Sequence, residues 1–313
     1  MYDDFSTYIK KIGGEIDERE VVNIDDSVDI TQLEYIPRVD VKYLSVSTPK
    51  MKGHFSYFKN LNLQSLAIRE TDLSSEDIQT IANFENLKEL RIVSRFLKEK
   101  TGHVLSKKDV SVLSKLKKIK NATFELEEDD LALFEFLDIL FLSISGNVEC
   151  RGLSKFTELE RLYIYESHFS NESAKELKGL IKLKDIAIYE SKLTDDGVLE
   201  ILGNSKLRGV SFDENNISEK GLEGLADLKQ LSSLSIKNCG MQIENLFDIL
   251  AQCPQLRYLD ISGNNFTENA HQKIKQLAKL ENLYQLVMSR KDVPLRKLRD
   301  IKNTLPNVSS FDF

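Results

Sequence analysis

The chain is poor in the features on which covalent chemistry or a membrane anchor is usually built. Its three cysteines, Cys150, Cys239 and Cys253, are odd in number and unpaired in spacing, which speaks against a disulfide framework and for a reducing compartment. No stretch approaches the roughly 18 uncharged apolar residues of a membrane-spanning helix. The first twenty residues start acidic and carry no apolar core, so no cleaved secretory signal is expected. The location expected is the cytoplasm, or a host cytoplasm reached without such a signal. A glycine-rich phosphate loop and a GxSxG elbow are both missing. His54, His103, His168 and His271 are scattered without ligand spacing and read as surface or turn residues. Glu127, Glu128, Asp129 and Asp130 lack the glycine bend of a calcium loop and read as the start of a helix. No catalytic residue, metal or cofactor is therefore expected, and an enzyme with a distributed site is the least favoured alternative. A net charge of -7 and a pI near 5.4 argue against a nucleic-acid ligand and favour a basic or neutral partner.

What the chain has is periodicity. From Leu183 the sequence runs Leu183, Ile186, Ile188, Ser191, Leu193, then a polar turn, then Val198, Ile201 and Leu202; 24 residues on come Leu207, Val210, Phe212, Asn215, Ile217, Leu222, Leu225 and Leu228. Repeat first positions fall at Val41, Leu63, Leu87, Ile119, Ile139, Leu159, Leu183, Leu207, Leu231, Leu256, Leu283 and Val308. The fourth and sixth places alternate with polar neighbours and form a short strand, whereas the later apolar residues recur at three and four and form a helix. Polar or small residues at the ninth place (Asn147, Ser167, Ser191, Asn215, Cys239, Asn264) can bond the backbone that the turn leaves unpaired. One such unit cannot bury its own apolar face, so each must stack on its neighbours.

The LxxLxLxxN spacing, with "LTDDGVLEIL", "ISEKGLEGL" and "LRYLDISGNN", resembles leucine-rich repeats of the ribonuclease-inhibitor-like class. The mixed repeat lengths resemble variants found in bacterial effector proteins. The resemblance covers about 41–313 and implies an α/β solenoid, a horseshoe with a parallel β-sheet on its concave side and helices on its convex side. It also implies a non-catalytic scaffold that binds a protein on the concave face, an effector or an intracellular adaptor. Residues 1–40 are expected to cap the first repeat, through Phe5, Tyr8, Ile9 and Ile12 on a helix and Val21, Val22 and Ile24 on a strand. A longer basic repeat spans 87–118, a terminal strand 308–313, and the chain is expected to be a monomer.

Third, fifth and seventh places point away from the core. From the fifth repeat on they bring Phe141, Arg161, Tyr163, Tyr165, Asp185, Tyr189 and Asp213 to one surface, with Gly209 and Ser211 between them. Glu166, Glu190 and Glu214 at the eighth place line one edge as an acidic ladder. Tyr and Arg are enriched at binding hot spots, so these ten residues from Phe141 to Glu214 (Gly209 and Ser211 aside) are the expected partner site. The alternative is the basic stretch 95–120, which includes Arg95, Lys98, Lys100, Lys107, Lys108, Lys115, Lys117, Lys118 and Lys120, recruiting an acidic partner or anionic lipid.

Overall fold

Each expected strand forms. The computed structural model describes residues 5–35, 41–93, 102–127, 129, 131–134, 137–289, 291 and 295–312, and the chain divides into two compact units, Met1–Asn147 and Val148–Phe313. The first unit carries β1 (Glu15–Ile16), β2 (Val21–Asp25), β3 (Tyr43–Ser47), β4 (Ser65–Arg69), β5 (Glu89–Val93), β6 (Asn121–Glu125) and β7 (Phe141–Ser145). They pair in chain order, β1 antiparallel to β2 and the others parallel. The second unit carries β8 (Arg161–Tyr165), β9 (Asp185–Tyr189), β10 (Gly209–Ser211), β11 (Ser233–Ser235), β12 (Tyr258–Asp260), β13 (Gln285–Val287) and β14 (Ser310–Asp312), all parallel and in chain order. Fourth- and sixth-place side chains of the repeats before the terminal strand, such as Leu66 and Ile68, Leu162 and Ile164, or Val210 and Phe212, are buried. Each contributes about 1.5 to 3 kcal/mol of apolar burial.

Behind the strands the backbone is wound in short pieces. Helices α1 (Phe5–Lys11), α2 (Ser75–Ile81), α3 (Lys107–Leu113), α4 (Asn171–Lys175), α5 (Asp195–Leu202), α6 (Leu246–Leu250), α7 (Glu268–Lys273) and α8 (Leu295–Thr304) alternate with 3-10 segments. In the repeat starting at Leu207 the whole back, Glu219–Asp227, is 3-10. That winding rises about 2.0 Å per residue against about 1.5 Å in an α-helix, so fewer residues span the same back. Ser106 caps α3 reciprocally with Asp109, and Val110, Leu113 and Leu116 are buried. His103, read as a surface or turn residue, lies outside helices and strands and is mostly enclosed: its ring nitrogens lie 3.0 Å from Asp72 and 3.3 Å from Asp109, next to the cap of α3.

The ninth place holds the repeats together. Asn215 Nδ2 donates to the carbonyls of Ile188, Phe212 and Asp213 at 2.7, 3.1 and 3.0 Å, and its Oδ1 accepts from Ser191 N. Asn264 does the same toward Ile236, Ile261 and Met241 N, and Thr71 toward Thr48 and Arg69. Asn147 departs from this pattern. It is exposed, following Gly146 at φ +111. At the other end Phe311, expected to continue the buried columns, is only half-buried and lies beneath the Lys302 ammonium, 5.4 Å from its ring centre; Phe313 lies outside the described residues.

Candidate functional site

Strand alternation in the second unit places Arg161, Tyr163 and Tyr165 on the helix-free face of β8, in register with Asp185, Ala187 and Tyr189 on β9. Gly209 and Ser211 of β10 continue two of these rows. Tyr165 and Tyr189 stack nearly parallel, ring centres 4.8 Å apart and planes 8° apart. Both are half-buried rather than solvent-facing, since each covers one face of the other. Burial and the neighbouring tyrosines push the Tyr165 phenol up to about 12, and burial raises Tyr189 as well. Neither hydroxyl is a base at neutral pH.

Beside the stack lies a cavity of about 410 Å³. Its floor is made by what the strands lack: Ala187, Gly209, Ser211, Ser233 and Ser235 are too small to fill the space above the sheet. Ala187 and Ser211 are buried, not presented to solvent as alternation alone implies. Carboxylates line the cavity. A Cβ on Gly209 would come within 2.6 Å of Asp185 Oδ1, so the glycine is what lets this carboxylate lie over β10. Burial raises the pKa of Asp185, against the opposing pull of Arg161 and Arg208. Asp213, nine-tenths buried, accepts from Ser235 Oγ at 2.7 Å and Lys237 N at 2.9 Å, and burial outweighs those bonds to raise its pKa too.

Glu166, Glu190 and Glu214 are exposed at the strand exits, with φ of +44°, +45° and +59°. This left-handed backbone costs an ordinary L-residue roughly 1 to 2 kcal/mol. The two following repeats use Asn238 and Gly263 at the same place, both with positive φ. Each glutamate N–H donates to the seventh-place carbonyl of the next strand, so the turn geometry is imposed by the ladder.

Lys237, one repeat beyond Asp213, and Tyr258 and Asp260, two repeats beyond it, occupy the same columns and line the same cavity. Phe141 belongs to the first unit, where it is half-buried on β7 opposite Asn121. Of the basic stretch, Arg95, Lys98 and Lys100 lie outside the described residues. Lys107, Lys108, Lys115, Lys117 and Lys118 are exposed, but Lys118 Nζ donates to Asn86 Oδ1 at 2.6 Å and Lys120 pairs with Asp138 at 3.2 Å. Among the described residues no group of three or more His, Cys, Asp or Glu could hold a metal ion, and no helix is long and apolar enough to cross a membrane.

Parallel strands in chain order, buried fourth- and sixth-place side chains and ninth-place turn bonds define a leucine-rich-repeat solenoid fold. Solved structures share it, two of them bacterial. An internalin of Listeria monocytogenes superposes with a TM-score of 0.60 at 19% identity, over 99% of this chain and 93% of its own. A leucine-rich-repeat protein of Leptospira interrogans gives 0.56 at 18% identity, over 93% and 75%. No protein-family model and no curated protein matches the chain.

Proposed function

We propose that the chain is a non-catalytic protein-recognition scaffold of the effector or adaptor type, whose partner docks on the concave face of the second unit. The observation that carries this reading is the stacked Tyr165–Tyr189 pair beside an acid-lined cavity. A packed aromatic pair offers rigid contact area at little further entropic cost, and Asp185, Asp213 and Asp260 above a small-residue floor suit an inserted lysine or arginine. The three left-handed glutamates add to the same field. They hold negative charge at positions where asparagine or glycine would be cheaper, which supports a role beyond stability. Both structural neighbours come from bacteria, in keeping with a bacterial recognition protein. Affinity capture from native and host lysates, with wild-type chain and a Tyr165→Ala/Tyr189→Ala variant side by side and identification by mass spectrometry, tests the reading. A protein retained by the first and lost from the second is the expected result, and equal recovery of every captured protein would contradict it.

A further inference from the structure

The third, fifth and seventh columns of the first repeats hold a second site of opposite character. On the helix-free face of the first unit a cavity of about 510 Å³ is lined by Arg19, Arg69 and Arg91 together with Tyr43 and Asn23. As in the second unit, small residues make the room: Ala67 and Ser45 stand in one row with Arg91 and Asn23 across β5, β4, β3 and β2.

The three guanidinium groups are not equally engaged. Arg91 is held by Glu89 at 2.6 Å, and Glu89 also accepts from Ser65 Oγ at 2.8 Å. The other lining carboxylate, Asp17, is folded back on its own loop, accepting from Arg19 N and Val21 N at 2.8 and 3.0 Å. Arg69 reaches only Ser45 Oγ, at a long 3.5 Å. Among the described residues, neither Arg19 nor Arg69 has a carboxylate within ion-pair distance, and both are exposed. A chain of net charge -7 thus keeps two unneutralised guanidinium groups over one cavity. A guanidinium takes a carboxylate through two parallel hydrogen bonds, which makes it the better fit for that group than a lysine.

We propose that this cavity binds an acidic peptide segment of a partner protein, lying across the strands with its carboxylates on Arg19 and Arg69. The extent of the cationic surface favours a peptide over a lone anion. From Arg19 beside β2 to Arg69 on β4 there are two inter-strand steps, about 10 Å in all, which about three extended residues would span. Tyr43 supplies an aromatic surface along the way, and the Glu89–Arg91 pair bounds the far end.

Fluorescein-labelled hexaglutamate, followed by anisotropy, tests the proposal. The wild-type chain should bind it even though its net charge repels it, and the affinity should fall steeply between about 50 and about 300 mM sodium chloride. Arg19→Gln/Arg69→Gln should weaken binding about tenfold or more with the melting midpoint held, because both side chains are exposed; Arg69→Lys, which keeps charge but loses the fork, should fall between. Tyr165→Ala/Tyr189→Ala should bind hexaglutamate normally, which keeps this site separate from the tyrosine site. Absence of wild-type binding, or undiminished binding by the double glutamine variant, would overturn the proposal. So would displacement of the labelled peptide by inorganic phosphate as readily as by free hexaglutamate, which would mark a simple anion site. Self-association in sedimentation that hexaglutamate abolishes would likewise overturn it, by giving the cavity to a second copy of the chain.

Discussion

Asn215 and Asp213 sit two residues apart and show how a buried polar group can serve opposite ends. Asn215 is fully engaged by three carbonyls and one N–H. Asn215→Ala leaves those groups unpaired and should cost on the order of 1 to 3 kcal/mol, read as a lowered denaturation midpoint. Asn147→Ala, at the same repeat position but exposed, should leave the midpoint within about 0.5 kcal/mol. Equal effects at the two sites would reject the turn-bonding role. Asp213 is also hydrogen-bonded, yet its folded pKa lies above its unfolded value because burial disfavours the charge. The cost of that charge is absent below the ordinary carboxylate range near about 4 and fully present above the raised folded value. Asp213→Asn keeps an acceptor for Ser235 and Lys237 while removing the charge. It should therefore raise the melting temperature at neutral pH, with the gain shrinking as pH falls through the carboxylate range. A variant no more stable than wild type at neutral pH would show that Asp213 carries no such cost.

At the scale of the element, the proposed recognition role of the strand-exit glutamates is set against a backbone cost. Glu190 stands at φ +45°, where asparagine, as at Asn238 in a later repeat, is better tolerated. Glu190→Asn should stabilise by about 0.5 to 1 kcal/mol in denaturant unfolding, and a loss of stability would mean the carboxylate makes compensating contacts. The strands and the polar turns after them were legible in the sequence because each rests on side-chain period. The 3-10 winding of Glu219–Asp227 was not, since apolar spacing of three and four fits both windings and the choice depends on how far the back must reach. The columns revealed Tyr165 and Tyr189 as neighbours. They did not reveal the cavities, because Ala67, Ser45, Gly209 and Ser211 matter through the volume they leave empty, and a search for chemical groups passes over them. Arg69 and Arg91 stood in the same columns, in repeats where those columns were not followed.

On the scale of the whole molecule, the described residues of each compact unit include a cavity on the helix-free face of its sheet, and the two cavities differ in charge. The first is lined by arginines and the second by aspartates beside tyrosines. The cysteines take no part in either: Cys239 and Cys253 are buried with thiols pushed up to about 12 and about 11 by desolvation. Thiol alkylation at about pH 8 should leave both unmodified in the native chain and label them after denaturation, whereas rapid native labelling would mean the repeats open. The most direct measurement is calorimetric titration of the captured partner into wild-type chain and into Tyr165→Ala/Tyr189→Ala. Because the rings stack, the double variant should lose about 0.5 to 1.5 kcal/mol of stability while remaining folded. Its affinity should fall by roughly 2 kcal/mol, about thirtyfold in Kd, and charge reversal at Lys107, Lys108, Lys117 and Lys118 should leave Kd unchanged. Unaltered affinity in the tyrosine variant, with loss in the lysine variant, would contradict recognition through the second unit's acidic, aromatic face.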